Sequence, residues 1–171
     1  MLKVNLAELH RVGPFTLEVE VPGDSELWEG SGLDFVAPLS IRLEVAMTGT
    51  GQVRVWGGWH GVIRQPCRRC LSEVDSKLEE GTELLFAPSD ELAGDGDDEG
   101  IREIPPRTLE LDLAPAVREE VILAAPIYSV CRADCRGLCP HCGTDWNEAT
   151  CDCTLEEPDP RWDALRALKK E

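Results

Sequence analysis

Residues 135–153, CRGLCPHCGTDWNEATCDC, carry the pattern that decides how the C-terminal part of the chain folds. Their central CPHCG, residues 139–143, is typical of a zinc knuckle. In such a turn two thiolates converge on one metal ion, and the glycine frees backbone amides to donate to the sulfurs. A second pair of cysteines follows with one residue between them, and it can share the ion if the backbone bends there. The four candidate ligands are Cys139, Cys142, Cys151 and Cys153.

Four more cysteines lie upstream, in CRRC at residues 67–70 and in CRADC at residues 131–135. Because a structural zinc site needs four ligands, these two motifs together form a first predicted site. A rival partition draws Cys135 into the C-terminal site and leaves Cys131 and one cysteine of the CDC motif over. We expect two Zn²⁺ ions per chain. The ligands of the first site are then Cys67, Cys70, Cys131 and Cys135.

Other thiol chemistry is less favoured by the spacing. A redox CxxC needs its first cysteine at a helix N-terminus, whereas Cys67 lies between predicted strands. An iron–sulfur cluster also takes four thiolates, but the glycine knuckle favours a mononuclear tetrahedral ion. A disulfide framework is disfavoured because six of the eight cysteines fall within residues 131–153, too close together to staple the rest of the fold.

The first half of the chain is predicted to be mostly β. Apolar and polar side chains alternate over residues 15–21 and again over residues 39–47, as in half-buried strands. Residues 48–51, TGTG, supply a turn, and residues 52–63 resume the strand pattern, so we expect an antiparallel hairpin. Residues 71–86 give a further extended stretch.

Two helices are predicted in the second half. Asp112 can cap a helix that runs to about Ala124 and ends at Pro126. Residues 159–169, DPRWDALRALK, begin with a capping aspartate and a proline at the first helical position. The apolar stripe of this short terminal helix is expected to contact the core. It consists of Trp162, Leu165 and Leu168.

The predicted fold class is therefore α+β. It has a mostly antiparallel N-terminal β half, a central helix, and a C-terminal zinc-ribbon-like module with a short terminal helix. We expect two domains: a mixed β/α core domain over residues 1–130, with an acidic loop near residues 89–103, and a cysteine-rich zinc module with the terminal helix over residues 131–171.

The chain is acidic, with a formal net charge of −16. Such a protein repels phosphate at long range and favours partners with a basic surface. Acidity can also simply keep a small protein in solution, and both interpretations stay open.

Arginines gather around the first predicted site in a chain otherwise short of cations. They could contact RNA, or they could neutralise the doubly negative zinc–tetrathiolate unit. The residues are Arg64, Arg68, Arg69, Arg132 and Arg136.

The sequence carries no GxSxG, Walker or GxGxxG motif, and a zinc ion with four cysteine ligands has no open position for water. We expect neither catalysis nor a small-molecule substrate. No apolar run approaches the roughly 18–20 residues that span a bilayer, and no signal-peptide pattern opens the chain. We therefore expect a cytoplasmic protein with no membrane contact.

Four stretches together resemble the YceD family, the large ribosomal RNA subunit accumulation proteins. They are CRRCL at residues 67–71, AAPIYSVC at 124–131, the cysteine run at 135–153 and DPRWDALRALK at 159–169. The resemblance implies a bacterial or organellar protein needed for normal accumulation of large-subunit ribosomal RNA, without known catalysis. Some members lack the second cysteine cluster, which implies that it is a separable site.

Three hypotheses of function follow. The first is a ribosome-assembly factor that supports large-subunit RNA, in contact with a ribosomal protein or a pre-ribosomal particle through its acidic surface. The second is a zinc module that binds RNA directly through Arg68, Arg69, Arg132 and Arg136. The third is a thiol redox switch. The net charge disfavours the second, and the absence of active-site motifs disfavours the third.

Overall fold

A six-stranded sheet dominates the N-terminal half of the protein. The structure, a computed structural model, describes residues 2–49, 51–89, 92 and 100–153. The strands follow the order β2-β4-β5-β6-β7, and β3 pairs with β5. Neighbours are antiparallel except for the parallel pair β6 and β7. The bounds are β2 Phe15–Val21, β3 Asp34–Phe35, β4 Leu39–Thr48, β5 Gln52–Pro66, β6 Glu73–Pro88 and β7 Ile101–Ile104.

The alternation of apolar residues explains which face of this sheet is buried. In β4 the residues Leu39, Ile41, Leu43 and Val45 are at most 2% exposed, and the residues between them face outward. The strands predicted for residues 15–21 and 39–47 and the hairpin between β4 and β5 are confirmed. The sequence also places residues 71–86 in an extended stretch, and β6 fills most of it.

Helices cover the buried face and one end of the sheet. They are α1 at Leu6–Val12, α2 at Ala114–Ala124 and a single 3₁₀ turn at Glu26–Trp28. A separate two-stranded ladder pairs β1, Lys3–Asn5, with β8, Glu110–Asp112. The fold class is α+β with a β-rich N-terminal half, as the sequence predicts.

The central helix is held at its N-terminal end, along its buried side and at Arg118. The carboxylate of Asp112 accepts from the amide of Ala114 at 2.9 Å, although the cap position itself is Leu113. Val117 and Val121 are fully buried against the sheet. On the outer side Arg118 donates to the backbone carbonyls of Leu27 and Glu29. These contacts join α2 to the sheet and to the 3₁₀ turn at Glu26–Trp28.

Two sequence-based predictions lie wholly or partly outside the described residues. They are most of the acidic loop, residues 90, 91 and 93–99, and the terminal helix at 159–169. The predicted loop was too long at its far end, because residues 101–103 belong to β7, which pairs with β6. The boundary between the domains 1–130 and 131–171 stays a prediction.

In the described part of the chain no helix is long and apolar enough to cross a bilayer.

Candidate metal centres

The first cysteine cluster joins the β half to the segment after α2. Cys67 follows β5 directly and Cys70 precedes β6, so both lie in the connection between these paired strands. Cys131 and Cys135 come from the chain beyond α2. The four sulfurs lie within 4.8 Å of one another. We call this group cluster one.

The dimensions of cluster one suit a tetrahedral ion. A zinc–sulfur distance of about 2.3 Å places the corners of a regular tetrahedron about 3.8 Å apart. The Sγ atoms of Cys67 and Cys135 are 3.9 Å apart, and those of Cys70 and Cys131 are 3.6 Å apart. Cys67, Cys70 and Cys135 are also buried, which excludes water from most of the group. The residues present therefore fit a four-coordinate metal of the structural type.

Backbone hydrogen bonds shape the turn that presents Cys67 and Cys70. The amide of Cys67 donates to the carbonyl of Ser72 at 2.8 Å, and the amide of Leu71 donates to the carbonyl of Cys67 at 3.0 Å. The amides of Arg69 and Cys131 point at the Cys67 sulfur, each at 3.4 Å. Donors directed at a sulfur stabilise the thiolate that a metal requires.

The protonation of cluster one follows from these donors and from crowding. The backbone amide of Cys70, with those of Arg69 and Cys131, lowers the pKa of Cys67 to about 6. Burial of the sulfur and hydrogen bonds to its three neighbours raise the pKa of Cys131 to about 12, although the residue as a whole is exposed. Four thiolates this close repel one another, so a bound cation is what would keep all of them deprotonated.

The second cluster is built on the CPHCG turn. The sulfurs of its four cysteines lie within 4.8 Å of one another. Trp146 Nε1 donates to the Cys151 sulfur at 3.4 Å. The hydroxyl of Thr144, followed by its amide, lowers the pKa of Cys142 to about 6, whereas the hydrogen bond to Cys142 and then burial raise that of Cys153 to about 12. We call this group, Cys139, Cys142, Cys151 and Cys153, cluster two.

The two CxxC turns have the same internal hydrogen bonds. In the second, the amide of Cys139 donates to the carbonyl of Thr144 at 2.8 Å and the amide of Gly143 to the carbonyl of Cys139 at 2.9 Å. The hydroxyls of Ser72 and Thr144 lie 3.0 and 3.1 Å from the second sulfur of their own turn. Leu71 has a φ of 63° where Gly143 has 76°. The pattern is therefore CxxC, then a left-handed residue, then a hydroxyl residue.

The clusters contact each other through the backbone between them. The amide of Leu138, just before Cys139, donates to the carbonyl of Arg69 in the first turn at 3.1 Å. Gly137 passes so close to that carbonyl that a Cβ would lie 3.0 Å from its oxygen. A side chain at this position would push the two turns apart.

Asn147 makes a second connection. Its Oδ1 accepts from the amide of Arg136 and from the guanidinium of Arg132, both at 2.8 Å. Its Nδ2 donates to the Cys135 sulfur at 3.5 Å and to Asp145 at 2.6 Å. A residue from the loop of cluster two thus supports a sulfur of cluster one. The resemblance suggested that cluster two is separable, but in this chain the two groups share contacts.

The structure groups the eight cysteines into the two sets that the spacing favoured, and Cys135 lies in cluster one rather than in the C-terminal group. That these side chains bind metal stays a prediction. The hydroxyls of Ser72 and Thr144 and the amide of Asn147 were not recognised in the sequence. A hydroxyl residue two positions after each CxxC was the available signal for the first two.

Two of the arginines around cluster one donate to backbone carbonyls, and two others pair with carboxylates. Arg68 Nε donates to Ile127 at 2.9 Å, and Arg69 donates to Cys135 at 2.8 Å. Arg64 pairs with Asp75 at 2.8 Å, and its guanidinium holds the pKa of that carboxyl below the ordinary value. Arg132 pairs with Asp134 at 3.5 Å. Arg68 and Arg69 thereby join the first turn to the segment that carries Cys131 and Cys135.

Several relatives resemble this chain. A chloroplast protein of Arabidopsis thaliana, large ribosomal RNA subunit accumulation protein YCED homolog 1, is 34% identical over 67 residues, 39% of this chain and 21% of that protein. An uncharacterized protein of Mycobacterium tuberculosis is 34% identical over 134 residues, 78% of this chain and 63% of that one. The uncharacterized protein YlbN of Bacillus subtilis is 30% identical over 114 residues, 65% and 63% of the two chains.

The chain thus spans about a fifth of the plant protein and less than two thirds of these bacterial relatives. No solved structure matches it. The model of the family described as large ribosomal RNA subunit accumulation protein YceD matches residues 55–169, which include both cysteine clusters. Since this match covers more than half of the sequence, the chain belongs to the YceD family.

Proposed function

We propose that this chain is a non-catalytic zinc-binding factor of large ribosomal subunit biogenesis, which works in the cytoplasm and supports the accumulation of large-subunit ribosomal RNA. The observation that carries the proposal is the pair of four-cysteine clusters inside the region that the family model matches. The family description indicates the process, which is the accumulation of large-subunit ribosomal RNA. The two clusters indicate how metal ions would stabilise the fold of this chain.

Zinc is the metal that the donor set favours. Four thiolates at tetrahedral spacing suit Zn²⁺, whereas carboxylate and carbonyl sites suit magnesium or calcium. Each cluster offers four sulfurs of the chain, which as ligands would leave no coordination position for a substrate or an activated water. The chain's residues would fix the ion in place, and the ion would connect β5 and β6 to the segment beyond α2. This argues for a structural role.

An acidic groove on the outer face of the sheet is evidence for a basic partner. Gly58 and Gly81 face each other across β5 and β6 and have no side chains to fill the surface. A groove of about 880 Å³ lies over them. Arg42 in this groove is already paired with Glu18 at 2.8 Å. The outward-facing acidic residues along the groove are Glu18, Glu20, Glu44 and Glu79.

A basic ribosomal protein, free or in a pre-ribosomal particle, has the charge that such a surface attracts.

Direct RNA binding through the arginines near cluster one is the second candidate function. Its support is that no carboxylate among the described residues pairs with Arg68, Arg69 or Arg136. Against it, Arg68 and Arg69 donate to backbone carbonyls, and the net charge of −16 repels phosphate. A thiol redox switch is the least favoured alternative.

Elemental analysis of the protein purified without chelators tests the metal assignment. We expect close to two zinc ions per chain, because the eight cysteines form two groups of four. A value near one would remove one of the clusters as a zinc site. Iron together with acid-labile sulfide would replace zinc by an iron–sulfur cluster.

Affinity purification from cells, with and without RNase, tests the partner. Ribosomal proteins that remain bound after RNase treatment would support the basic-protein partner. Loss of all ribosomal components after RNase would favour direct RNA binding instead, and absence of ribosomal components from both samples would contradict the proposed function.

A further inference from the structure

Exposed apolar side chains are concentrated next to cluster one. Among the described residues, eight large apolar side chains are exposed, and five of them lie in the first CxxC turn, in the last turn of α2 or just after α2. Tyr128 is 83% exposed and Leu123 is 72% exposed. We call this group the apolar patch. It comprises Leu71, Leu123, Ile127, Tyr128 and Val130.

Hydrogen bonds bring the two parts of the apolar patch together. The amide of Arg68 donates to the carbonyl of Ser129 at 2.9 Å, and its side chain donates to the carbonyl of Ile127 at 2.9 Å. The amide of Cys131 approaches the Cys67 sulfur at 3.4 Å. The segment 127–131 therefore runs alongside the turn whose last residue is Leu71. A contiguous exposed surface of this kind usually marks an interaction site.

Leu71 has a backbone conformation that is energetically unfavourable for leucine. Its φ of 63° lies in the left-handed region, which the matching turn fills with Gly143. A leucine there is strained, and at 64% exposure it gains little burial in return. An unfavourable backbone conformation combined with an exposed apolar side chain indicates that this side chain has a contact beyond the described residues.

The charges around the apolar patch indicate the chemistry of its occupant. Arg68 and Arg69 lie within three positions before Leu71 and Arg132 follows Val130 by two positions, in a chain with 17 basic and 33 acidic residues. The Arg68 side chain reaches the patch at the carbonyl of Ile127, and no carboxylate of the described ranges pairs with Arg68 or Arg69. A matching ligand must therefore be apolar and acidic at once. A basic ribosomal protein would be repelled here, unlike at the groove on the sheet.

The chain contains such a segment immediately after cluster two. Residues 154–171, TLEEPDPRWDALRALKKE, have three carboxylates and no base in their first seven positions, and then apolar residues at helical spacing among both acidic and basic ones. The carboxylates are Glu156, Glu157 and Asp159, and the apolar stripe is Trp162, Leu165 and Leu168. We propose that this C-terminal segment docks on the apolar patch, with its stripe on the exposed side chains and its carboxylates on the arginines.

The connection between the clusters makes this docking geometrically accessible. Cys153 belongs to cluster two, and Asn147 from the same loop donates to the Cys135 sulfur of cluster one at 3.5 Å. The nine residues from Cys153 to Trp162 can span about 30 Å when extended. A tether of this length gives a local concentration in the millimolar range, so even a weak contact is populated. The inference does not depend on the proposed function.

Photocross-linking within the full, zinc-loaded chain tests the docking. A benzophenone amino acid replaces Tyr128, and in the control protein it replaces Leu109, which is 76% exposed but outside the apolar patch. We expect mass spectrometry to find intramolecular cross-links from position 128 to residues 155–169 and none from position 109. Mixing isotopically labelled and unlabelled chains separates links within a chain from links between copies. Links to a second copy, or none to this segment, would overturn the proposal.

Hydrogen exchange provides a second measurement in the full chain. Leu165→Glu places a charge on the apolar stripe, and Ala167→Glu places the same charge off the stripe. If the segment covers the patch, backbone amides of residues 127–131 should exchange several-fold faster in Leu165→Glu than in Ala167→Glu or the unmodified protein. Equal exchange in all three proteins, with equal zinc content, would contradict the docking.

Discussion

Asn147 is not a candidate metal ligand, but its side chain contacts a sulfur of cluster one and the backbone beside it. It donates to the Cys135 sulfur and accepts from the amide of Arg136 and the side chain of Arg132. Residues that orient a metal ligand typically change metal affinity 10- to 100-fold when they are removed. Asn147 belongs to the loop of cluster two and donates to Cys135 of cluster one. Its loss should therefore weaken metal binding through Cys135.

We predict that Asn147→Ala lowers the affinity of one of the two zinc ions by about tenfold or more and leaves the other nearly unchanged. The reason is that Cys135 loses a donor and the chain around Arg136 loses an acceptor. Competition with a chromogenic zinc chelator measures both affinities. Glu148→Ala is the control, because this neighbouring side chain is exposed. Equal effects of the two substitutions would show that Asn147 has no specific role.

The sequence predicted the candidate cysteine ligands but not the residues that orient them. Spacing favours two groups of four, because a tetrahedral ion needs four ligands and CxxC places two of them in one turn, but it left open a partition with Cys135 in the C-terminal site. It does not show that Asn147 turns toward Cys135, since that depends on how the loop of cluster two packs on cluster one. Nor does it predict a left-handed Leu71, because leucine rarely adopts that conformation.

At the scale of elements, the strands with strict alternation were predictable and the short ones were not. β2 and β4 each bury one face, so their period of two is visible in the sequence. α1 has seven residues and only Leu9 buried, which is too short a pattern for a helical period to appear. β7 has four residues and depends on pairing with β6, a contact distant along the chain.

Cluster one closes a much longer loop than cluster two. Its ligands in the turn between β5 and β6 and in the segment after α2 are separated by more than 60 residues, as the Cys70 and Cys131 pair shows with a separation of 61. All the ligands of cluster two fall within residues 139–153. A metal that joins distant elements restricts the unfolded chain more than one that closes a local turn, although the dependence on loop length is weak.

We predict that Cys67→Ser lowers the thermal unfolding midpoint of the zinc-loaded protein more than Cys151→Ser does. Cys67 is fully buried between the sheet and the following turn and receives two backbone amides at 3.4 Å. Cys151 lies nearer the end of the described chain and is partly exposed. Calorimetry with measured zinc content for each variant decides the comparison. A larger loss for Cys151→Ser would contradict the idea that cluster one stabilises the whole fold.

For the whole molecule, the uneven distribution of charge matters more than the total of −16. Carboxylates line the groove on the outer face of the sheet, whereas arginines surround cluster one. The protein therefore offers one surface to a basic ligand and another to an acidic one. Electrostatic attraction between exposed charges is screened over about 8 Å at physiological ionic strength. Each surface therefore attracts mainly a ligand that has already come close to it.

The final prediction concerns the acidic groove. The triple variant Glu20→Gln, Glu44→Gln and Glu79→Gln should weaken binding to a purified basic large-subunit ribosomal protein roughly tenfold at low salt, because each exposed charge pair contributes about 0.2–1 kcal/mol. The unfolding midpoint should hardly change, since no cation of the described residues pairs with these three carboxylates. Titration at two salt concentrations should also show a shallower salt dependence for the variant.

A second variant separates the groove from the acidic loop that the sequence singled out. It replaces Asp95, Asp97 and Asp98 with asparagine and Glu99 with glutamine, which removes one charge more than the groove variant and lies outside the described residues. If the loop variant weakens binding and the groove variant does not, the basic partner contacts the loop. If neither weakens binding while Arg68 and Arg69 substitutions abolish binding to ribosomal RNA fragments, the acidic surface has no part in recognition. The affinity must then come from the arginines around cluster one, since they are the concentrated positive charge on a chain that otherwise repels phosphate.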